Sequence, residues 1–125
     1  MRPDDSWGNF PGRELNNTGD GFLIAFESPS AAIRYGFALI EASRRRGLEV
    51  RVGIHSGEIA FFENQVAGLA LHVGARVGAL AGTEEVWVSR TVRDLLFGSG
   101  FRFTSTGHHH LKGVSGEWEL FRVGE

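Results

Sequence analysis

The chain contains no cysteine. Disulfide scaffolds, thiolate zinc sites, iron–sulfur clusters and cysteine nucleophiles are therefore excluded. It also lacks a basic excess: 13 Lys and Arg stand against 15 Asp and Glu, for a net charge of −2. A dedicated binder of nucleic acid or of an anionic membrane would carry the opposite balance. No run comes close to 18 consecutive apolar residues, the length that marks a membrane-spanning helix. The opening residues, MRPDDSWGNFPG, have no apolar core of the signal-peptide kind. The expectation is a cytoplasmic, soluble protein that meets neither nucleic acid nor membrane. Its 125 residues suit one domain, and 42% hydrophobic content is enough for a core. What is abundant is glycine. The chain has 18, against an average share of about 7%, so tight turns and close backbone approaches are expected.

Residues 1–11 are polar and turn-rich and read as a poorly ordered leader; residues 12–125 read as the domain. An extended run over 13–17 meets Thr18-Gly19-Asp20-Gly21, a hairpin signal. The strand that follows, Phe22-Leu23-Ile24-Ala25-Phe26, is apolar throughout, as a strand covered on both faces would be. Ser28-Pro29 then starts a helix, with a side-chain oxygen at the N-cap and proline at the first helical position. Ile33, Phe37 and Ile40 share its buried face, and Gly47 closes it. Arg44-Arg45-Arg46 at its end suits the helix dipole; a solvated helix end is favoured over a phosphate or membrane patch. Alternation from Leu48 to Ile54 predicts a strand with Leu48, Val50, Val52 and Ile54 inward. A ribbon piece is expected over 59–63.

Val66, Leu69, Val73, Val77 and Leu80 are spaced by 3, 4, 4 and 3. That is the period of an amphipathic helix with all five residues buried. A second stripe, Gly68, His72, Arg76 and Ala79, is small and polar, flanked by Ala75 and Gly78. Such a stripe predicts close packing of a ligand or another chain. Val86-Trp87-Val88 reads as a strand, Ser89 as the cap of a short helix, and 101–106 and 118–123 as the last two strands. The alternation of strands and helices predicts an α+β sandwich, with helices packed on one mixed or antiparallel sheet.

Several side chains can carry chemistry. Asp20, between two glycines at a hairpin tip, is either a turn aspartate bonding its own backbone or a Mg²⁺ ligand. His72 and Arg76, four apart, face the same way. They are either surface polarity or, for the arginine, a group that meets developing phosphate charge. Lys112-Gly113 places a cation on a flexible turn, suited to phosphate and also ordinary at a surface. Of His108, His109 and His110, at most the first and last can share a metal, because successive strand residues alternate faces. With no further ligands in pattern, a structural zinc is not expected.

Taken together, several stretches resemble the catalytic domain of class III adenylyl and guanylyl cyclases. They are Gly12 through Phe26, then Val52-Gly53-Ile54-His55-Ser56-Gly57-Glu58, then Val66-Ala67-Gly68 through Ala75-Arg76-Val77, then Val86-Trp87-Val88-Ser89, then Leu111-Lys112-Gly113-Val114. The resemblance covers about residues 12–123 in family order. It implies a ferredoxin-like sandwich of the nucleotide cyclase type. It also implies a phosphorus–oxygen lyase reaction in cyclic-nucleotide signalling: a nucleoside triphosphate, ATP or GTP, is cyclised and pyrophosphate leaves. Two Mg²⁺ or Mn²⁺ ions would assist. The site would form in a homodimer, or in a heterodimer with another cyclase domain.

Residue by residue, the resemblance makes Asp20 the second metal aspartate, Arg76 the transition-state arginine and Lys112 the triphosphate lysine. Asn16 stands at the place of the adenine-reading lysine and Gln65 at that of its aspartate partner. His72 stands at the place of the transition-state asparagine, and histidine too can donate to a phosphate oxygen. The family's first metal aspartate lies on an opening strand with a Phe-Thr-Asp-Ile-like motif, and no such motif occurs here. The expectation is a domain that lacks the opening strand and helix and is inactive alone. The alternative is a non-catalytic pseudo-cyclase that serves as a dimerisation or nucleotide-binding module.

Overall fold

The structure, a computed structural model, describes residues 12–17, 22–26, 28–57, 60–62 and 65–124. The expected leader over 1–11 and the hairpin tip with Asp20 lie outside the described residues. The elements in order are β1 (Gly12–Asn17), β2 (Phe22–Phe26), α1 (Pro29–Arg44), β3 (Val52–Ile54), β4 (Ala60–Phe62) and β5 (Gln65–Ala67). Then follow α2 (Leu69–Leu80), β6 (Val86–Ser89), α3 (Arg90–Leu95), β7 (Arg102–His110) and β8 (Glu117–Gly124).

The α+β architecture with a mixed sheet is as expected. Four strands form the main sheet in the order β3-β6-β8-β7. β3 runs parallel to β6, with Val52 opposite Val86, and the other two pairings are antiparallel. β1–β2 and β4–β5 are separate antiparallel ribbons. Among the described residues β3 has a ladder partner on one edge only, and so does β2. α1 packs on β2, β3 and β6, so it reaches from the ribbon to the sheet. Phe26 meets Tyr35 there, with ring centroids 5.3 Å apart.

Helices cover both faces of the sheet, because the strands alternate. Ile54, Val86, Val88, Phe121 and Val123 point to one side and pack with Ile33 and Ile40 of α1 and Val92 of α3. Leu120, with the half-buried Trp87 and Trp118, points to the other and packs with Val73 and Val77 of α2 and with Leu111. α1 begins where the serine and proline predict: the Ala31 N–H donates to Ser28 Oγ at 3.3 Å. It ends at Gly47, whose φ of +73° is the left-handed region that glycine tolerates. The Leu48 N–H then donates to the Ser43 carbonyl at 2.9 Å.

That closure accounts for one difference from the sequence. β3 spans Val52–Ile54 only, and Leu48 is 58% exposed instead of inward. Residues 48–51 are used in leaving the helix and in a bond from the Glu84 N–H to the Val50 carbonyl at 2.8 Å. A second difference lies in the helix with the clearest period. Val66 belongs to β5, and α2 starts only after Gly68, whose φ of +148° breaks the run. Val73 and Val77 are fully buried, but Leu69 is 63% and Leu80 42% exposed. Val73 and Val77 lie in the middle turns of α2 and seat it in the second core, while Leu69 and Leu80 stand at its two ends. The close approach promised by the small residues is partly internal: Gly78 lies directly on Gly53 of β3. A third difference is that β7 runs on through all three histidines.

Candidate functional site

α2 stands on Val73 and Val77, which fixes where its other faces look. His72 and Arg76, one turn apart, are half-buried at its side, while Ala75 and Ala79 are exposed. The His72 ring reaches across to the turn between β7 and β8. Its Nε2 lies 2.9 Å from the carbonyl oxygen of Lys112. A carbonyl only accepts, so this nitrogen carries the proton and donates. The turn is built for the contact. Leu111 is buried in the second core with Val114 packed against it, and the Val114 N–H donates to the Leu111 carbonyl at 2.9 Å. Gly113 has a φ of +82°, and a Cβ there would sit 2.8 Å from His72 Nε2. Lys112 itself is exposed.

Of the residues singled out in the sequence, His72, Arg76 and Lys112 thus belong to one neighbourhood, with His72 touching the lysine's backbone. The side chains of Arg76 and Lys112 have no hydrogen bond or ion pair among the described residues. Asn16 lies on β1 and Gln65 on β5, where the backbone is described and the side chains are not. Asp20, the carboxylate expected to hold a metal, lies outside the described residues. Among those described, no group of three or more His, Asp or Glu could hold a metal ion.

The three histidines divide as a strand requires. His108 and His110 face outward opposite Glu119 and Glu117. His109 turns inward, with its ring 5.7 Å from that of Trp87 and its Nε2 3.0 Å from Thr106 Oγ1. Two of the arginines that end α1 are tied to acids: Arg44 reaches Glu84 at 3.0 Å and Glu41 at 3.1 Å, and Arg45 reaches Glu41 at 3.8 Å. That is a solvated, ion-paired helix end. Among the described residues no helix is long and apolar enough to cross a membrane.

One pair escaped the sequence reading. His55, just past β3, places Nδ1 2.6 Å from Oγ of the fully buried Ser89. The Trp118 ring meets it edge-on at 5.6 Å. Burial pushes the His55 imidazole below its ordinary value of 6.5, because desolvation disfavours the charged ring. Ser89 was legible as a helix cap, and its hydroxyl does lie 3.5 Å from the Val92 N–H. The signal that pointed to His55 was its place two residues after Gly53, on the sheet face that α2 covers.

No family model matches the chain. It is 30% identical over 112 residues to a protein named "Putative adenylate cyclase 3" from Rhizobium meliloti (strain 1021), a match covering 82% of this chain and 19% of that protein. The chain thus spans about a fifth of that relative's length. Among solved structures, an adenylate/guanylate cyclase/hydrolase from Silicibacter pomeroyi superposes with a TM-score of 0.81 at 24% identity, covering 96% of this chain and 76% of that one. The guanylate cyclase domain of RhGC from Catenaria anguillulae, in complex with GTP, superposes with a TM-score of 0.74 at 14% identity, covering 93% and 74%. By sequence and by fold, the chain is a homologue of the class III adenylyl/guanylyl cyclase catalytic domain.

Proposed function

We propose that the chain contributes one set of residues to a nucleoside triphosphate site of the cyclase type and does not complete the cyclisation alone. The observation that carries this reading is the pair of cations, Arg76 and Lys112, beside His72 and without an acidic partner among the described residues. Surface cations near acids usually settle into ion pairs; two with none among the described residues, beside a small-residue helix face, suit a polyanion. In this reading Lys112 binds the triphosphate, while Arg76 meets the charge that develops when the ribose 3′-oxygen bonds to the α-phosphorus and the bond to pyrophosphate breaks. Asp20 is the metal carboxylate for Mg²⁺ or Mn²⁺, and Asn16 and Gln65 face the base. A second cyclase domain, identical or not, completes the cleft against the exposed side of α2. Leu69, Ala75, Ala79 and Leu80 are accessible there for close approach.

The test is binding and turnover measured side by side. ATP or GTP binding by calorimetry is expected for the chain, and Lys112→Ala and Arg76→Ala are each expected to weaken it by roughly tenfold or more, the scale of a hydrogen bond to a charged group. Cyclic nucleotide above background is not expected from the chain alone with either metal. The sequence carries one of the family's two metal carboxylates, and one carboxylate holds two divalent ions poorly against triphosphate repulsion. Turnover that disappears in Asp20→Ala would overturn the inactivity. Absence of nucleotide binding would overturn the site.

A further inference from the structure

We propose that His72 is a positioning residue, which holds the 111–114 turn through the Lys112 carbonyl and so presents the Lys112 ammonium to the polyphosphate. The proposal rests on the nucleotide reading above. It differs from a direct role for His72 on the phosphate, because Nε2 of the ring is engaged by the Lys112 carbonyl.

Three observations converge. First, Nε2 of His72 and the Lys112 oxygen are 2.9 Å apart, the ordinary length of an N–H···O bond. Second, the residue after Lys112 is a glycine with a φ of +82°, and a side chain there would press on that nitrogen. The turn therefore approaches the ring as closely as a glycine permits. Third, the turn is anchored at both ends, by buried Leu111 and by Val114 in the second core, which leaves the middle as the part that needs fixing. A lysine on a free turn loses much of its binding energy to ordering backbone and side chain. The bond from His72 removes the backbone share beforehand. Arg76, one turn further along α2, is then held on the same rigid helix as the clamp, so the two cations keep a fixed spacing.

The test uses inorganic tripolyphosphate as the probe and a double-mutant cycle on the full chain. His72→Ala is expected to weaken tripolyphosphate binding by roughly three- to tenfold, the range of a single hydrogen bond. The loss is expected to vanish when Lys112 is already alanine, because the histidine acts through the lysine. His72→Gln is expected to restore binding, since its amide N–H reaches as far as Nε2. His72→Asn is expected not to, since it is one carbon short. Amide hydrogen exchange at Gly113 and Val114 is expected to quicken in the Ala and Asn variants and stay slow in Gln, with the rest of the chain unchanged. Independent losses that add, or rescue by Asn and not Gln, would overturn the proposal by placing His72 on the phosphate itself. Unchanged exchange at the turn would overturn the clamp while leaving the nucleotide reading intact. Failure of the unmodified chain to bind tripolyphosphate would overturn both.

Discussion

Gly53→Ala is expected to destabilise the chain by about 3 kcal/mol or more, at or beyond the upper end of ordinary overpacking. A Cβ on Gly53 would lie inside the van der Waals radii of the Gly78 N and Cα and 2.6 Å from the Val77 carbonyl carbon. All three are backbone atoms of α2, so no rotamer change relieves the clash. The helix must lift from β3, and Val73 and Val77 lose their seat on the sheet with it. Gly74, on the same helix, has no atom of the described residues within 4 Å of such a Cβ. Gly74→Ala is expected to stabilise the chain by up to about 1 kcal/mol through helix propensity alone. Urea unfolding followed by tryptophan fluorescence measures both. Equal stability of Gly53→Ala and the unmodified chain would mean that α2 does not rest on β3. Because α2 carries His72 and Arg76, the same lift would also move the clamp off Lys112, and polyphosphate affinity should fall together with stability.

The contrast between those two glycines shows what a sequence can and cannot express. Gly53 lies on β3 and Gly74 on α2, and the sequence neighbours of neither show what a Cβ there would meet; only the packing of α2 on β3 does. Local chemistry was legible. The Ser28-Pro29 start and Gly47 stop of α1 lie within a few residues of the backbone groups they satisfy. So was the shared face of His72 and Arg76, which follows from four-residue spacing. Tertiary context decided the rest. The period running from Val66 to Leu80 overstated α2 at its start, where Gly68 separates it from β5, and overstated its buried face, since Leu69 and Leu80 are exposed. The two contacts that shape the candidate site join residues far apart in sequence: His72 to Lys112 across 40 positions and His55 to Ser89 across 34. The resemblance to cyclases placed those stretches in order but not these bonds. It put His72 at an asparagine's position, and the bond from its Nε2 to the Lys112 carbonyl is an addition that only the structure supplies.

Ser89→Ala is expected to cost about 2 to 3 kcal/mol, the sum of a lost helix cap and a hydrogen bond lost within the fold. Ser89 is 0% exposed and stands at a junction. It ends β6, caps α3 and holds His55 Nδ1 at 2.6 Å. Without the hydroxyl, the Val92 N–H loses its side-chain acceptor and the half-buried imidazole loses its partner, while Trp118 still packs on the ring edge. The same pair makes stability depend on pH with a definite sign. Burial lowers the folded-state pKa of His55 below its ordinary 6.5. Between those two values the unfolded chain binds more protons than the folded one, so stability rises with pH in that window. The contribution is complete above about 6.5 and is lost as the pH falls through the folded-state value. His55→Gln removes this titration. Chemical denaturation from pH 8 to pH 5 is therefore expected to show a steeper acid loss in the unmodified chain than in His55→Gln. Parallel curves for the two would mean that the ring is as well solvated in the fold as outside it. The site and this pair share Trp118 and Leu111 through the second core. A chain that loosens at His55 on acidification should therefore release the Lys112 turn at lower denaturant than the rest of the sheet.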